Sequence, residues 1–225
     1  VTFLAQDCLA DNAWICAEYV RTRQDLILTA LREHVILTVV SVGIGLAVAV
    51  PLALLARRNR RTEGAVLSFT TGLYTIPSLA MFSLLLPFTG LTATTVVIGL
   101  VLYTLTILVR NILAGLAGVP DEVTEAARGM GTGPARMLLT VELPLALPAI
   151  MAGLRVATVS TVALVTIGAI VGNGGLGDLI IEGLPSFFRA QVVTAAVLCV
   201  VLAVVADLGL LGAQRLLTPW LRGRR

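Results

Sequence analysis

Long apolar runs, parted by short polar or glycine-rich pieces, set the pattern of this chain. Five runs of 22 or 23 residues, at 35–56, 65–86, 94–116, 149–171 and 192–213, read as helices. About 20 apolar residues cross a bilayer core, so each is long enough to span. Pro77 falls in the middle of the second run. A proline there removes a backbone hydrogen bond, and the run is expected to kink. Residues 1–34 are too polar to cross. Trp14, Tyr19 and the run 26–31 predict a helix lying at the membrane surface instead.

One polar stretch interrupts this pattern: Pro120-Asp-Glu-Val-Thr-Glu-Ala-Ala-Arg-Gly-Met-Gly131, continuing through Val141-Glu-Leu-Pro144. It carries the carboxylates Asp121, Glu122, Glu125 and Glu142. Pro120 and Asp121 form a helix start, with aspartate able to cap free N–H groups. Gly129 and Gly131 supply a stop. Thr132 and Pro134 restart a second short helix at 135–140, and Pro144 is expected to close it. A compact two-helix knob at about 117–148 follows.

Composition turns the pattern into a class. Hydrophobic residues make up 57% and charged residues 13%, with a mean hydropathy of +0.97. Soluble domains carry about 25% charged residues, so this is one integral, all-α membrane domain of five spans. All 16 basic residues are arginine. A pI near 9.1 would suit a nucleic-acid binder. These arginines instead cluster at span ends, so the lipid bilayer is the expected partner and nucleic acid is not. With the N-terminus outside and the C-terminus inside, twelve arginines fall on the inner side and only Arg21, Arg23, Arg32 and Arg189 on the outer. The positive-inside rule therefore places the polar knob in the cytoplasm, and residues 221–225 form a basic cytoplasmic tail.

Candidate chemistry is sparse. His34 is the only histidine; at the edge of the first span it reads as an interface or capping residue, and no metal site is expected. Cys8 and Cys16, if on one helix, stand about 12 Å apart, too far for a disulfide. Cys199 reads as a packing residue. Gly172-Asn-Gly-Gly-Leu-Gly177 matches G-x-G-x-x-G but follows a membrane span and lacks the acidic partner, so it is no dinucleotide site. It reads as an outer loop leading to a re-entrant or lid segment at 179–188. Without lysine there is no P-loop, and no hydrolytic triad can be built, so the chain is not an enzyme and binds no cofactor. Arg110 and Asp207, each about 12 Å inside a span end, are expected to pair.

Glu125-Ala126-Ala127, three residues, Gly131, nine residues, then Val141-Glu-Leu-Pro144 resembles the EAA loop of the membrane subunits of binding-protein-dependent ABC importers, with valine where isoleucine is usual. Thr75-Ile-Pro77-Ser-Leu-Ala80, Val109-Arg110-Asn111 and Gly174-Gly-Leu-Gly-Asp178 are similar to stretches in osmoprotectant permeases. The resemblance covers about 35–220 and thins over the first 30 residues. It implies a permease working by alternating access with a second, identical or paralogous permease subunit. An ABC ATPase dimer would hold ATP and Mg, and an extracytoplasmic solute-binding protein would deliver the cargo. The setting is a bacterial cytoplasmic membrane. By the same resemblance Glu125, Ala126, Ala127 and Gly131 couple to the ATPase, and Leu143 and Pro144 fix the exit of the knob. Pro77, Ser78, Gly174 and Gly175 are candidates for pathway or gate. The implied solute is glycine betaine, choline, carnitine or proline betaine. Methionine or another amino acid is the alternative, and a scaffold or channel without an ATPase is a further one.

Overall fold

The computed structural model describes residues 8–220, so the basic tail 221–225 lies outside the described residues. Helices follow one another as α1 (Ala17–Thr22), α2 (Gln24–Ala56), α3 (Arg60–Thr75), α4 (Ser78–Thr89), α5 (Ala93–Ala117), α6 (Asp121–Gly129) and α7 (Pro134–Met137). A π-helical turn, Leu138–Glu142, leads into α8 (Leu143–Val165). A 3-10 segment, Thr166–Val171, then precedes α9 (Leu176–Gly183) and α10 (Arg189–Leu217). Among the described residues, four helical stretches are long and apolar enough to cross a membrane: α2, α5, Pro134–Val171 and α10. The bent pair α3–α4 makes a fifth if counted as one span. The five apolar runs thus reappear as helices.

Several boundaries differ from the sequence reading, each for a local reason. The run 26–31 is not a separate surface helix: no glycine or proline stands between it and the first apolar run, and α2 is continuous for 33 residues, passing through Pro51 near its end. Pro77 does more than kink its run. It becomes the N-cap of α4 with an extended ψ of 138°, as proline and the residue before it disfavour continued helix. Pro144 does not close a helix. Its ring denies the preceding turn one N–H, and the wider π turn at Leu138–Glu142 absorbs the mismatch, so Pro134–Val171 stays one helical stretch. The helix of the second run begins earlier than its apolar residues, after Asn59, whose Oδ1 accepts from Thr62 N at 2.8 Å and Thr62 Oγ1 at 2.9 Å.

The described residues divide into two compact units that take alternate stretches of sequence: residues 8–41, 76–100 and 159–205 in one, and 42–75, 101–158 and 206–220 in the other. In the first, Leu37, Phe82, Val96, Leu100, Val165 and Val171 form a buried core. A second cluster joins Cys16, Tyr19, Ile27, Leu176, Leu179 and Ala190. His34 is fully buried here and is no interface residue; its Nε2 lies 3.0 Å from the carbonyl of Val162. Cys8 and Cys16 are joined by a disulfide, with Cα atoms 5.5 Å apart. The expected separation assumed one helix, but α1 begins only at Ala17, and the turns before it bring the two residues together. Tyr19 packs edge-on against Phe188, and Asn12 bonds both Phe187 O and Arg189 N, so the N-terminal segment is tied to the start of α10. In the second unit, Ala49 and Ala53 of α2 pack with Leu105, Leu108, Val109 and Ile112 of α5 and Ala157 of α8.

Candidate functional site

The knob between α5 and α8 is built as its residues dictate. Pro120 fixes its own φ and caps α6 through its backbone position; no side chain caps the helix, and Asp121 instead opens its first turn. Asp121 and Glu122 place negative charge at the positive end of the helix dipole. Thr124 and Ala127, three residues apart, turn inward and are buried, whereas Glu122, Glu125, Ala126 and Met130 face out. The three-residue match therefore splits: Glu125 and Ala126 form the presented surface, and Ala127 anchors it.

Gly131 has a clear structural task. Thr132 N donates to Ala127 O at 3.1 Å and Gly131 N to Arg128 O at 2.8 Å, with Gly131 at φ +81°. These bonds make a Schellman end, whose C′ residue must be left-handed, and glycine takes that conformation without a Cβ clash. Gly133 then precedes Pro134 at the first position of α7. Met137 is buried beneath the turn, and Leu143 and Pro144 are half-buried at its exit.

Glu142 was missed as a site residue. It ends the π turn, is 8% exposed, and receives both prongs of Arg57, Nη1 at 2.6 Å and Nη2 at 2.9 Å. That hydrogen bonding raises the pKa of Arg57 above the ordinary guanidinium range. The only signal for this pair in the sequence is a carboxylate between the apolar Val141 and Leu143. The two residues line a cavity of about 700 Å³ together with Arg58, Arg128, Thr132 and Pro134.

The other expected residues fall elsewhere. Asp207 pairs with Arg155, not with Arg110: Arg155 Nε and Nη2 reach its two oxygens at 2.8 and 2.7 Å. Arg110 donates to Thr71 Oγ1 at 2.8 Å. Similar depth along two spans does not say which helix stands alongside. Pro77 is exposed at the break before α4, and Ser78 is half-buried as the first residue of that helix. Gly174 and Gly175 are buried. Gly175, at φ +55°, lies against α2, where an added Cβ would stand 2.7 Å from the backbone N of His34. Asp178 accepts from Gly174 N at 3.0 and 3.1 Å, and burial pushes its carboxyl above the usual range. Among the described residues, no group of three His, Cys, Asp or Glu side chains is placed to hold a metal.

Helices long and apolar enough to cross a membrane, with a polar two-helix knob between two of them, define a multi-pass membrane protein. The chain belongs to the family of binding-protein-dependent transport system inner membrane components, whose model matches residues 41–223. It is 33% identical over 202 residues to the choline transport system permease protein OpuBB of Bacillus subtilis, covering 90% of this chain and 93% of that one. It is 38% identical over 194 residues to the glycine betaine/carnitine/choline permease OpuCD of the same organism, covering 86% and 85%. It is 35% identical over 192 residues to the osmoprotectant import permease OsmW of Salmonella typhimurium, covering 83% and 89%. In fold it matches the MetNI methionine ABC transporter in an inward-facing conformation, with a TM-score of 0.78 at 22% identity over 88% of this chain and 98% of that one.

Proposed function

We propose that this chain is the permease subunit of an ATP-driven importer for a quaternary-ammonium compatible solute, of the glycine betaine, choline, carnitine or proline betaine class. The observation that carries the reading is the knob itself: a capped short helix presents Glu125 and Ala126 outward on buried Thr124 and Ala127. Around it stands a chain 33–38% identical to permeases named for choline, for glycine betaine, carnitine and choline, and for osmoprotectants. Two permease subunits, identical or paralogous, line the pathway. An ABC ATPase dimer, holding ATP and Mg, docks on α6, and an extracytoplasmic binding protein delivers the solute. The knob lies on the cytoplasmic side, with the N-terminus outside and the C-terminus inside. Two observations support this orientation: the arginine distribution, and the disulfide near the N-terminus, a bond that persists in oxidising compartments. Nucleotide-driven closure of the ATPases moves the knobs and exposes the pathway to each side in turn. Pro77, Ser78, Gly174 and Gly175 are proposed elements of that pathway or its gate.

The test is uptake in cells stripped of their own osmoprotectant importers and given this chain with its ATPase and binding protein. Labelled betaine, choline or carnitine should accumulate, and unlabelled members of the class should compete. Accumulation of methionine in place of any of these would overturn the assignment of the solute.

A further inference from the structure

The EAA-like match leaves Glu142 without a task, yet in the structure it holds a two-pronged ion pair. Three features meet at this residue. It closes the π turn, the one place where the helical ladder of Pro134–Val171 is widened. It is buried, although its only covalent neighbours are apolar. Its two oxygens are taken by the two terminal nitrogens of Arg57, the first residue beyond α2, at 2.6 and 2.9 Å. Such a fork fixes distance and orientation together, which a single contact or a lysine cannot. Arg128, near the end of α6, lines the same cavity and adds its positive charge to the surroundings of Glu142. The carboxylate is thus held between the outward-presented helix of the knob and the end of a 33-residue helix.

We infer that Arg57 and Glu142 are positioning residues for transport: through their fork, displacement of the knob is passed to the end of α2. The inference rests on the proposed docking of an ATPase at α6. A wider π turn gives the knob room to shift, and the fork makes α2 shift with it. Because the contact is bidentate, charge alone does not suffice. Arg58, beside Arg57, lines the same cavity without such a fork, so the geometry separates two adjacent arginines.

The experiment uses the complete transporter in proteoliposomes, measuring solute uptake and ATP hydrolysis together. Glu142→Gln and Arg57→Gln should keep the ATPase bound and hydrolysing while solute moved per ATP falls about tenfold, a typical coupling between sites. Arg57→Lys should fall between these and wild type, and Arg58→Gln should transport normally. The exchange R57E/E142R should recover a large part of the uptake lost in either single variant. Normal solute-to-ATP ratios in both single variants would overturn the inference. So would an exchange variant that assembles without recovery. Failure of every Arg57 and Glu142 variant to assemble would assign the pair to folding and equally overturn it. The underlying reading fails differently, by the wild-type chain binding no ATPase or transporting without ATP.

Discussion

Arg155 on α8 grips Asp207 on α10 with two nitrogens, and each side chain keeps roughly a quarter to a third of its surface exposed, 27% and 31%. An ionised group on a spanning helix is costly unless it finds water or an opposite charge. Here each residue answers the other. Removing one member strands the remaining charge, whereas removing both leaves none. Asp207→Ala and Arg155→Ala should therefore each lower the yield of stable subunit, by roughly twofold or more, with the double variant recovering part of the loss. Arg110→Ala, which frees only a contact with Thr71, should leave Asp207 undisturbed. Membrane-fraction yields of the four variants check this. Additive losses for Arg155 and Asp207 would show that the pair does not interact.

Thiol counting examines the N-terminal segment. Cys8 and Cys16 are joined and Cys199 is free, so a thiol reagent should modify one cysteine before reduction and three after it. Closing so short a loop restrains the unfolded chain by about 2–3 kcal/mol. The double change to serine should lower the thermal stability of the detergent-solubilised protein. Three reactive thiols without reduction would contradict the disulfide.

Sidedness is open to labelling in a Cys199→Ala background. Cysteines placed at Asn59 and Thr132 should react only with reagents that reach the cytoplasm, and one at Asn173 from outside the cell. Labelling of Thr132→Cys from outside in intact cells would reverse the proposed orientation.

The end of α6 depends on one backbone conformation. Gly131→Val at φ +81° should cost the turn roughly 1–2 kcal/mol, because a β-carbon meets the neighbouring carbonyl in the left-handed region. Gly131→Asn should be tolerated better. Retention of the ATPase through purification measures both. Equal retention in the valine variant would show that the Schellman end is not what holds the knob in shape.

Much of this architecture was readable from the chain alone. Length and apolarity located the spanning helices, and Pro120, Gly129 and Gly131 marked the limits of α6, because local chemistry decides those features. Pairings between distant residues were not readable. Asp207 was expected to pair with Arg110 on depth alone, but depth does not name the neighbouring helix, and the packing of α8 beside α10 gives it Arg155 instead. For Cys8 and Cys16 the rise of a helix misleads, because α1 does not extend over them. Glu142 gave no periodic signal at all. Its partner, Arg57, lies 85 residues away and looked like any other arginine at a span end.

Glu125 bears the central claim, that the knob is where an ATPase engages this permease. It is exposed on α6, at the position that the EAA-like match assigns to coupling. A carboxylate there is expected to meet an arginine or lysine of the ATPase. The most direct measurement compares Glu125→Ala with wild type in proteoliposomes holding the complete transporter, reading uptake and binding-protein-stimulated ATP hydrolysis side by side. The account predicts a normally inserted subunit in which uptake is abolished and hydrolysis no longer responds to the loaded binding protein. Wild-type uptake, with hydrolysis still stimulated, would contradict it.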